Sequence, residues 1–204
     1  THLFCIPNIN IMKNNIIKPI VLIGGVAGTG KTTISNLLLQ MLNIDHKIGL
    51  GWIRETLCTL LNKNEYPELY DYSFKTSKTK DFEKYYIFKQ TEYHKKSIEA
   101  CIDRAHREGT SLIIEGVNLV PGIIDTKYVT NYFWLKMPGN IEVHKKLLLG
   151  GTHMKRNISQ NDFSAIRKVG KYIEDNFNNH NVDFIEFGKQ ETRTESIISK
   201  IKSI

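Results

Sequence analysis

Short apolar runs alternate with longer amphipathic segments along the chain. Five runs rich in β-branched and aromatic residues occupy residues 16–25, 46–50, 110–116, 128–137 and 182–188. Segments with helical spacing stand between and after these runs, and the longest extends from about Phe82 to Glu108. Because strands that alternate with helices pair in parallel through right-handed crossovers, the pattern predicts an α/β fold with a five-stranded parallel sheet flanked by helices.

Polar and turn-forming residues refine this outline. An amphipathic helix is predicted over residues 161–177, with Asn161 as its N-cap, because an Asn side chain can accept from the free N–H groups of a first turn. Residues 62–80 are polar, aromatic and turn-rich, and we expect an insert there. The pattern thus places the core in the strands and the helices between them.

Length and composition indicate one globular unit. The 204 residues fit a single domain, which we place at residues 17–204 after a ragged leader at residues 1–16. No apolar run approaches the roughly 20 residues that cross a bilayer, so we expect no membrane partner. The three cysteines, at positions 5, 58 and 101, lack CxxC spacing, which argues against a disulfide framework and a zinc site. These features predict a cytoplasmic protein.

The run VLIGGVAGTGKTTISNLL at residues 21–38 predicts a strand, a glycine-rich turn and a helix, and it contains G-x-x-x-x-G-K-[ST]. Glycines let successive backbone N–H groups approach a phosphate, and the following helix directs its positive end at the same anion. The lysine then reaches the β and γ phosphates of ATP and the threonine hydroxyl binds Mg²⁺. The expected nucleotide contacts are Gly25, Val26, Ala27, Gly28, Thr29, Gly30, Lys31, Thr32 and Thr33.

This motif also occurs in GTPases, so the rest of the chain must distinguish the classes. A GTPase would carry Asp-x-x-Gly after its third strand, where this chain has Glu115-Gly116, and the base-binding Asn-Lys-x-Asp is approached only at residues 62–65. The segment from Lys127 to Lys171 contains nine Lys or Arg and only two acidic residues. This excess of seven positive charges equals the net charge of the whole chain, +7. This favours a small-molecule kinase with a cationic lid, at roughly residues 150–160, over a switch protein.

The run SLIIEGVNLVPGIID at residues 111–125 resembles the archaeal-type 2-phosphoglycerate kinases, in which a strand ending Ile-Ile-Glu-Gly-Val-His-Leu-Val-Pro-Gly is characteristic. The resemblance continues in the same order with IRETL at 53–57, VHKKLLL at 143–149 and FSAIRKVGKYI at 163–173. It covers most of the chain from about residue 17. It implies a P-loop kinase that uses ATP and Mg²⁺ to phosphorylate a small anionic substrate, a phosphorylated hydroxy acid similar to 2-phosphoglycerate.

The chain also departs from this family at named positions. The family tends to carry an Asp just ahead of its Ile-Arg-Glu, where this chain has Leu50 to Trp52, and its Val-His is Val117-Asn118 here. Lys145 and Lys146 stand where arginines are expected. A guanidinium binds two phosphate oxygens at once and an ammonium does not, so these changes fall where substrate would be held.

The combined reading assigns roles to individual side chains. Lys31, Glu115 and Arg156 are the expected catalytic residues, with Thr32 and Glu115 on the metal side, since phosphoryl transfer depends on positioning and charge stabilisation. His144 and His153 are interpreted as packing or polar-face residues rather than bases. The expected substrate-binding residues are Arg54, Asn118 and Arg167.

Two alternatives remain open at this point. A nucleotide kinase or 5′-polynucleotide kinase would use the basic half as a nucleic-acid footprint, although no aromatic platform of recognisable spacing accompanies it. A non-catalytic ATP-binding sensor module would explain the missing Asp and arginines. Phosphoryl transfer to any acceptor would exclude the sensor.

Overall fold

The computed structural model describes residues 18–74, 82–150, 158–177 and 180–202, with the side chains of residues 82–85 and 202 left out. The predicted leader therefore lies outside the described residues. The strands are β1 (Ile20–Gly24), β2 (His46–Gly49), β3 (Leu112–Gly116), β4 (Asn131–Leu135) and β5 (Asp183–Ile185). The helices are α1 (Lys31–Met41), α2 (Leu50–Leu60), a short 3-10 helix (Pro67–Tyr70), α3 (Phe82–Glu108), α4 (Ile141–Gly150), α5 (Gln160–Asn176) and α6 (Gln190–Lys202).

The strands form one parallel sheet in the order β2-β3-β1-β4-β5. The predicted five-stranded parallel sheet flanked by helices is confirmed. β1 lies at the centre, with β3 on one side and β4 on the other, and Ile23 of β1 pairs with Glu115 of β3. Because the carboxyl ends of parallel strands meet at one edge, the loop after β1 and the end of β3 become neighbours.

Both faces of the sheet are buried, which explains why its strands read as continuous apolar runs. Ile20 and Leu22 pack on one face with α3, whereas Val21 and Ile23 pack on the other, as period-2 side-chain alternation requires. The helical residues that complete these two layers are Ile98, Ile102 and Ala105 of α3 on the first face and Ile34, Leu38, Ile197 and Ile201 of α1 and α6 on the second. Within the described ranges, no helix is long and apolar enough to cross a membrane.

Several boundaries differ from the sequence expectation. Ser159, not Asn161, caps α5, because its hydroxyl accepts from the Asp162 N–H while the Asp162 carboxylate accepts from the Ser159 N–H. This capping box satisfies two donors at once, so it wins over a single Asn cap. The last strand covers three residues rather than the predicted seven, since β4 is its sole neighbour in the described sheet. Part of the expected insert packs well, with Leu69 of the 3-10 helix fully buried.

Gly24 closes β1 against the large buried side chain of Trp134. A methyl group at this position would overlap the Trp134 ring, so Gly24→Ala is expected to lower the free energy of unfolding by about 1–3 kcal/mol. Gly51→Ala, in the first turn of α2, is the matched control, because a methyl group at that position meets no atom within 4 Å. Urea denaturation of both variants measures the difference, and equal stability of the two would contradict this packing.

Candidate active site

The loop between β1 and α1 has the conformation that its glycines allow. Gly25, Gly28 and Gly30 adopt φ values of 146°, 81° and 87°, a region that other residues rarely enter. Space is also limited at Gly25, where a Cβ would lie 2.9 Å from the Leu135 carbonyl oxygen. The glycine spacing is thus a backbone requirement of the turn.

The first loop carbonyl that is held by side chains is that of Val26. It accepts from the Lys31 ammonium at 2.8 Å and from the Thr29 hydroxyl at 2.9 Å. Lys31 is largely buried, so its charge is held inside the curve of the loop rather than in solvent. This places the ammonium where the motif predicts a phosphate contact.

The next carbonyl, that of Ala27, is held by a histidine from α4. His144 is completely buried and its Nε2 lies 2.8 Å from the Ala27 oxygen. This assigns the proton to Nε2, which leaves Nδ1 to accept from the Arg167 guanidinium at 3.3 Å. Arg167 also donates to the carbonyls of Pro138 and Gly139, at 2.9 and 3.2 Å. Hydrogen bonds from Arg167 of α5 to His144 of α4, and from His144 to Ala27, therefore hold this part of the loop in place.

A third carbonyl, that of Thr29, is held by the C-terminal helix. The Nη1 of Arg193 donates to it at 2.9 Å, and the guanidinium lies 5.5 Å from the Phe187 ring. Arg193 is 4% exposed, and its Nε and Nη2 have no hydrogen-bond partner among the described residues.

These contacts orient the peptides of the loop. In a trans peptide the N–H points opposite to the preceding carbonyl. Because the carbonyls of Ala27 and Thr29 are directed at His144 and Arg193, the N–H groups of Gly28 and Gly30 point away from those two side chains. These two N–H groups stand just before the positive end of α1, an arrangement that suits an anion on the side of the loop away from His144 and Arg193.

The two residues predicted on the metal side meet beside the first turn of α1. The Thr32 hydroxyl donates to Oε1 of Glu115 at 3.0 Å, although 83 positions separate them in the sequence. The parallel register of β1 and β3 places the Glu115 carboxylate next to the first turn of α1. The sheet order, with β3 beside β1, is therefore what brings Glu115 to the loop.

The predicted substrate-binding residues lie at the same edge but already have protein partners. Arg54 of α2 binds Glu55 Oε1 at 2.7 Å and the Asp71 carbonyl at 3.4 Å, and its Nε has no partner in the described part of the chain. Asn118 is nearly buried and donates to Oε1 of Gln90 at 3.0 Å. Their roles toward substrate, like that of Arg167, remain predictions.

Part of the predicted site lies outside the described residues. Arg156 and Lys155 belong to residues 151–157, so the catalytic role of Arg156 and most of the lid at 150–160 remain predictions. Elsewhere in the basic region, some cations are balanced by acids: Lys136 pairs with Glu186 and Lys171 with Asp175.

Sequence analysis missed two residues that shape the loop. His144 had been interpreted as a packing residue, and its position in VHKK, within a segment that resembles the kinase family, was the available signal. Arg193 carried no signal, because its contact with Thr29 spans 164 positions.

Burial gives the folded protein a pH dependence in the mildly acidic range. It is the main cause that lowers the pKa of His144, helped by the charges of Arg167 and Lys31, and burial also lowers the pKa of His94. An imidazole in the unfolded chain titrates near ~6.5, so below that pH the unfolded state binds more protons than the folded state. The free energy of unfolding is therefore expected to fall as pH drops below about 6.5, by at most about 1.4 kcal/mol per pH unit and histidine.

Urea unfolding between pH 7.5 and 5 measures this slope. His144→Gln keeps a donor for the Ala27 carbonyl but cannot titrate, so its slope should be shallower than that of the wild type. His46→Gln, at an exposed position of β2, is the matched control. An identical slope in His144→Gln and the wild type would contradict the assignment.

Comparison with curated proteins finds archaeal 2-phosphoglycerate kinases. The chain is 30% identical over 184 residues to that of Methanococcus maripaludis strain C7, across 82% of this chain and 59% of the relative. It is 30% identical over 200 residues to that of Methanothermobacter thermautotrophicus (89% and 65%), and 26% identical over 201 residues to that of Thermococcus kodakarensis (92% and 68%). The resemblance inferred from the sequence is confirmed, and the chain spans about 59% of the length of the first of these relatives. No protein-family profile matches the chain.

Solved structures show the same fold. A deoxyadenosine kinase from M. mycoides superimposes with a TM-score of 0.53 at 17% identity, across 90% of this chain and 99% of that one. A sugar kinase from Janibacter gives a TM-score of 0.53 at 12% identity, across 91% and 95%. At such identities the likeness establishes the fold alone, and it confirms the P-loop kinase fold.

Proposed function

We propose that this chain is an ATP-dependent phosphotransferase whose acceptor is a small phosphorylated hydroxy acid resembling 2-phosphoglycerate. The observation that carries the proposal is the 3.0 Å contact between Thr32 and Glu115 at the mouth of the phosphate loop. A carboxylate beside the loop threonine is what a kinase needs in addition to nucleotide binding. The names of the similar archaeal proteins support the acceptor class. We place the reaction in the cytoplasm, where ATP is available.

The residues at the loop suit a magnesium ion. Mg²⁺ prefers oxygen ligands, keeps several waters, and takes one or two protein ligands together with substrate phosphates. The Thr32 hydroxyl and the Glu115 carboxylate supply such oxygens side by side. When bound, the ion would neutralise charge on the β and γ phosphates. Thr32 would hold it directly, and Glu115 would hold it or its water shell.

These positions support the following transfer step. The acceptor hydroxyl oxygen forms a bond to the γ-phosphorus, the bond from that phosphorus to the β-phosphate oxygen breaks, and ADP leaves. The hydroxyl proton passes to the Glu115 carboxylate. Lys31 and the backbone N–H groups stabilise charge on the transferred group, and Arg156 is proposed to contact it from the lid. Arg54 is proposed to bind the acceptor's own phosphate, with Arg167 and Asn118 as further acceptor contacts.

A nucleoside or nucleotide acceptor is the second candidate, and one observation favours it. Trp52 is 80% exposed at the start of α2, and its ring lies 3.7 Å from the position of a Cβ on Gly49, the residue that pairs with Glu115. An exposed indole next to the carboxylate could stack on a base. A 5′-hydroxyl oligonucleotide would use the same platform.

A substrate screen with [γ-³²P]ATP distinguishes the candidates. Purified protein is supplied with Mg²⁺ and, in separate reactions, 2-phosphoglycerate, nucleoside monophosphates and 5′-hydroxyl oligonucleotides. Transfer to 2-phosphoglycerate with kcat/KM well above that for the others supports the proposal. Transfer mainly to a nucleotide or oligonucleotide refutes the acceptor class, and ATP binding without transfer to any acceptor supports the sensor module instead.

A further inference from the structure

Arg193 is a buried cation with no acidic partner among the described residues. The residue is 4% exposed, and two of its guanidinium nitrogens, Nε and Nη2, have no hydrogen-bond partner among the described residues. No carboxylate in the described ranges pairs with it. Burial lowers its pKa to about 10, so it still carries its charge at neutral pH. Burying an unpaired charge is strongly unfavourable, so an apolar residue would suit a purely structural role better.

The position of this charge relates it to the phosphate loop. Its Nη1 donates to the Thr29 carbonyl, and a Cβ built on Gly30 would lie 3.7 Å from the same nitrogen. In a trans peptide the Gly30 N–H points opposite to the Thr29 carbonyl, and therefore away from Arg193. The guanidinium therefore lies directly behind the peptide that would face a bound phosphate. The Phe187 ring lies 5.5 Å from the guanidinium, and the burial of Arg193 limits screening by water.

We propose that Arg193 is a positioning residue of the nucleotide site: it fixes the Thr29–Gly30 peptide from behind, and a bound di- or triphosphate is the anion that its charge otherwise lacks. The inference rests on the nucleotide site of the proposed function and not on the acceptor. It makes α6 part of the binding machinery without any contact to the ligand. It also predicts that the positive charge of Arg193 is uncompensated in the nucleotide-free protein and is compensated when a phosphate binds.

The test compares nucleotide binding with stability in matched variants. Arg193→Met removes the charge and the donor at similar length. Arg193→Gln keeps a donor for the Thr29 carbonyl but no charge, and Arg193→Lys keeps the charge without the fork. Arg104→Met, at an exposed position of α3, is the control. Isothermal titration with Mg²⁺–ADP and with pyrophosphate gives affinities, and urea denaturation without ligand gives stability.

We expect both ligands to bind Arg193→Met and Arg193→Gln about 10- to 100-fold more weakly, a range typical of coupling between sites. Arg193→Lys should be intermediate, and Arg104→Met unchanged. Without ligand, Arg193→Gln should be at least as stable as the wild type, whereas a purely structural arginine would lose stability on replacement and leave the affinity of the folded protein unchanged.

Wild-type affinity for Mg²⁺–ADP and pyrophosphate in either Arg193→Gln or Arg193→Met would overturn the inference. If Arg193→Met does not fold, Arg193→Gln and Arg193→Lys decide the matter alone: equal affinity in these two would show that the charge plays no part. Failure of the wild type itself to bind Mg²⁺–ADP would refute the proposed function, which separates that result from failure of this inference.

Discussion

Replacing Lys31 by alanine is expected to lower the rate of phosphoryl transfer by about 10³-fold or more while the protein stays folded. The ammonium is held within the loop, 2.8 Å from the Val26 carbonyl, where it can turn to the β and γ phosphates. Removing one preorganised donor from a transition state typically lowers kcat by about 10²–10³-fold, and this donor also carries a full charge.

The measurement is single-turnover transfer from [γ-³²P]ATP, with urea denaturation to verify folding. Lys96→Ala, at an exposed position of α3, is the matched control and should keep wild-type activity. Full activity in a folded Lys31→Ala protein would contradict the proposed role of Lys31 in phosphoryl transfer. Loss of activity together with loss of folding would be resolved by Lys31→Met, which preserves the apolar stem.

Replacing Glu115 by glutamine is the second large effect, with an expected drop in kcat of about 10²–10³-fold. Glutamine retains a carbonyl oxygen that can accept from the Thr32 hydroxyl, so the 3.0 Å contact can survive. What the variant loses is the negative charge that is proposed to hold Mg²⁺ or its waters and to receive the acceptor proton. The effect should therefore appear in kcat and in the Mg²⁺ concentration required, with little change in stability.

Titration of activity with Mg²⁺ tests this distinction. Glu195→Gln, at an exposed position of α6, is the control for loss of one carboxylate and should behave as the wild type. Binding of ADP without metal should be similar in Glu115→Gln and the wild type. An unchanged kcat in Glu115→Gln would remove this carboxylate from the reaction and with it the observation on which the proposed function rests.

The sequence pattern predicted much of the fold because helices and buried strands are each encoded by residues close together in the chain. The long helix was expected from Phe82 to Glu108, and α3 has these bounds. Its length and the glycine that follows Glu108 suffice for the prediction, since helical hydrogen bonds join residues four apart. The number of strands followed in the same way from short apolar runs that are buried on both faces.

The ends of helices and strands were less well predicted where two residues could each cap a helix, or where a neighbouring strand sets the length of a strand. Asn161 and Ser159 are both good N-caps, and the reciprocal bond from Asp162 selects Ser159. The end of β5 depends on β4, because a strand extends only as far as its partner supplies hydrogen bonds. Neither choice is encoded within the segment itself.

The sequence by itself determined that this protein folds around a phosphate loop and that it resembles the archaeal 2-phosphoglycerate kinases. The first conclusion needs only glycines at fixed spacing, a strand before them and a helix after them, all within one contiguous run. The second rests on the run at residues 111–125 and on shorter runs that follow the family's order. Tertiary structure alone decided that His144 and Arg193 hold the loop, and it brought the predicted Glu115 into contact with Thr32. Glu115, His144 and Arg193 reach it across 83, 117 and 164 positions. Such contacts follow from strand order and helix packing, which bring distant residues together without leaving a pattern in the chain between them.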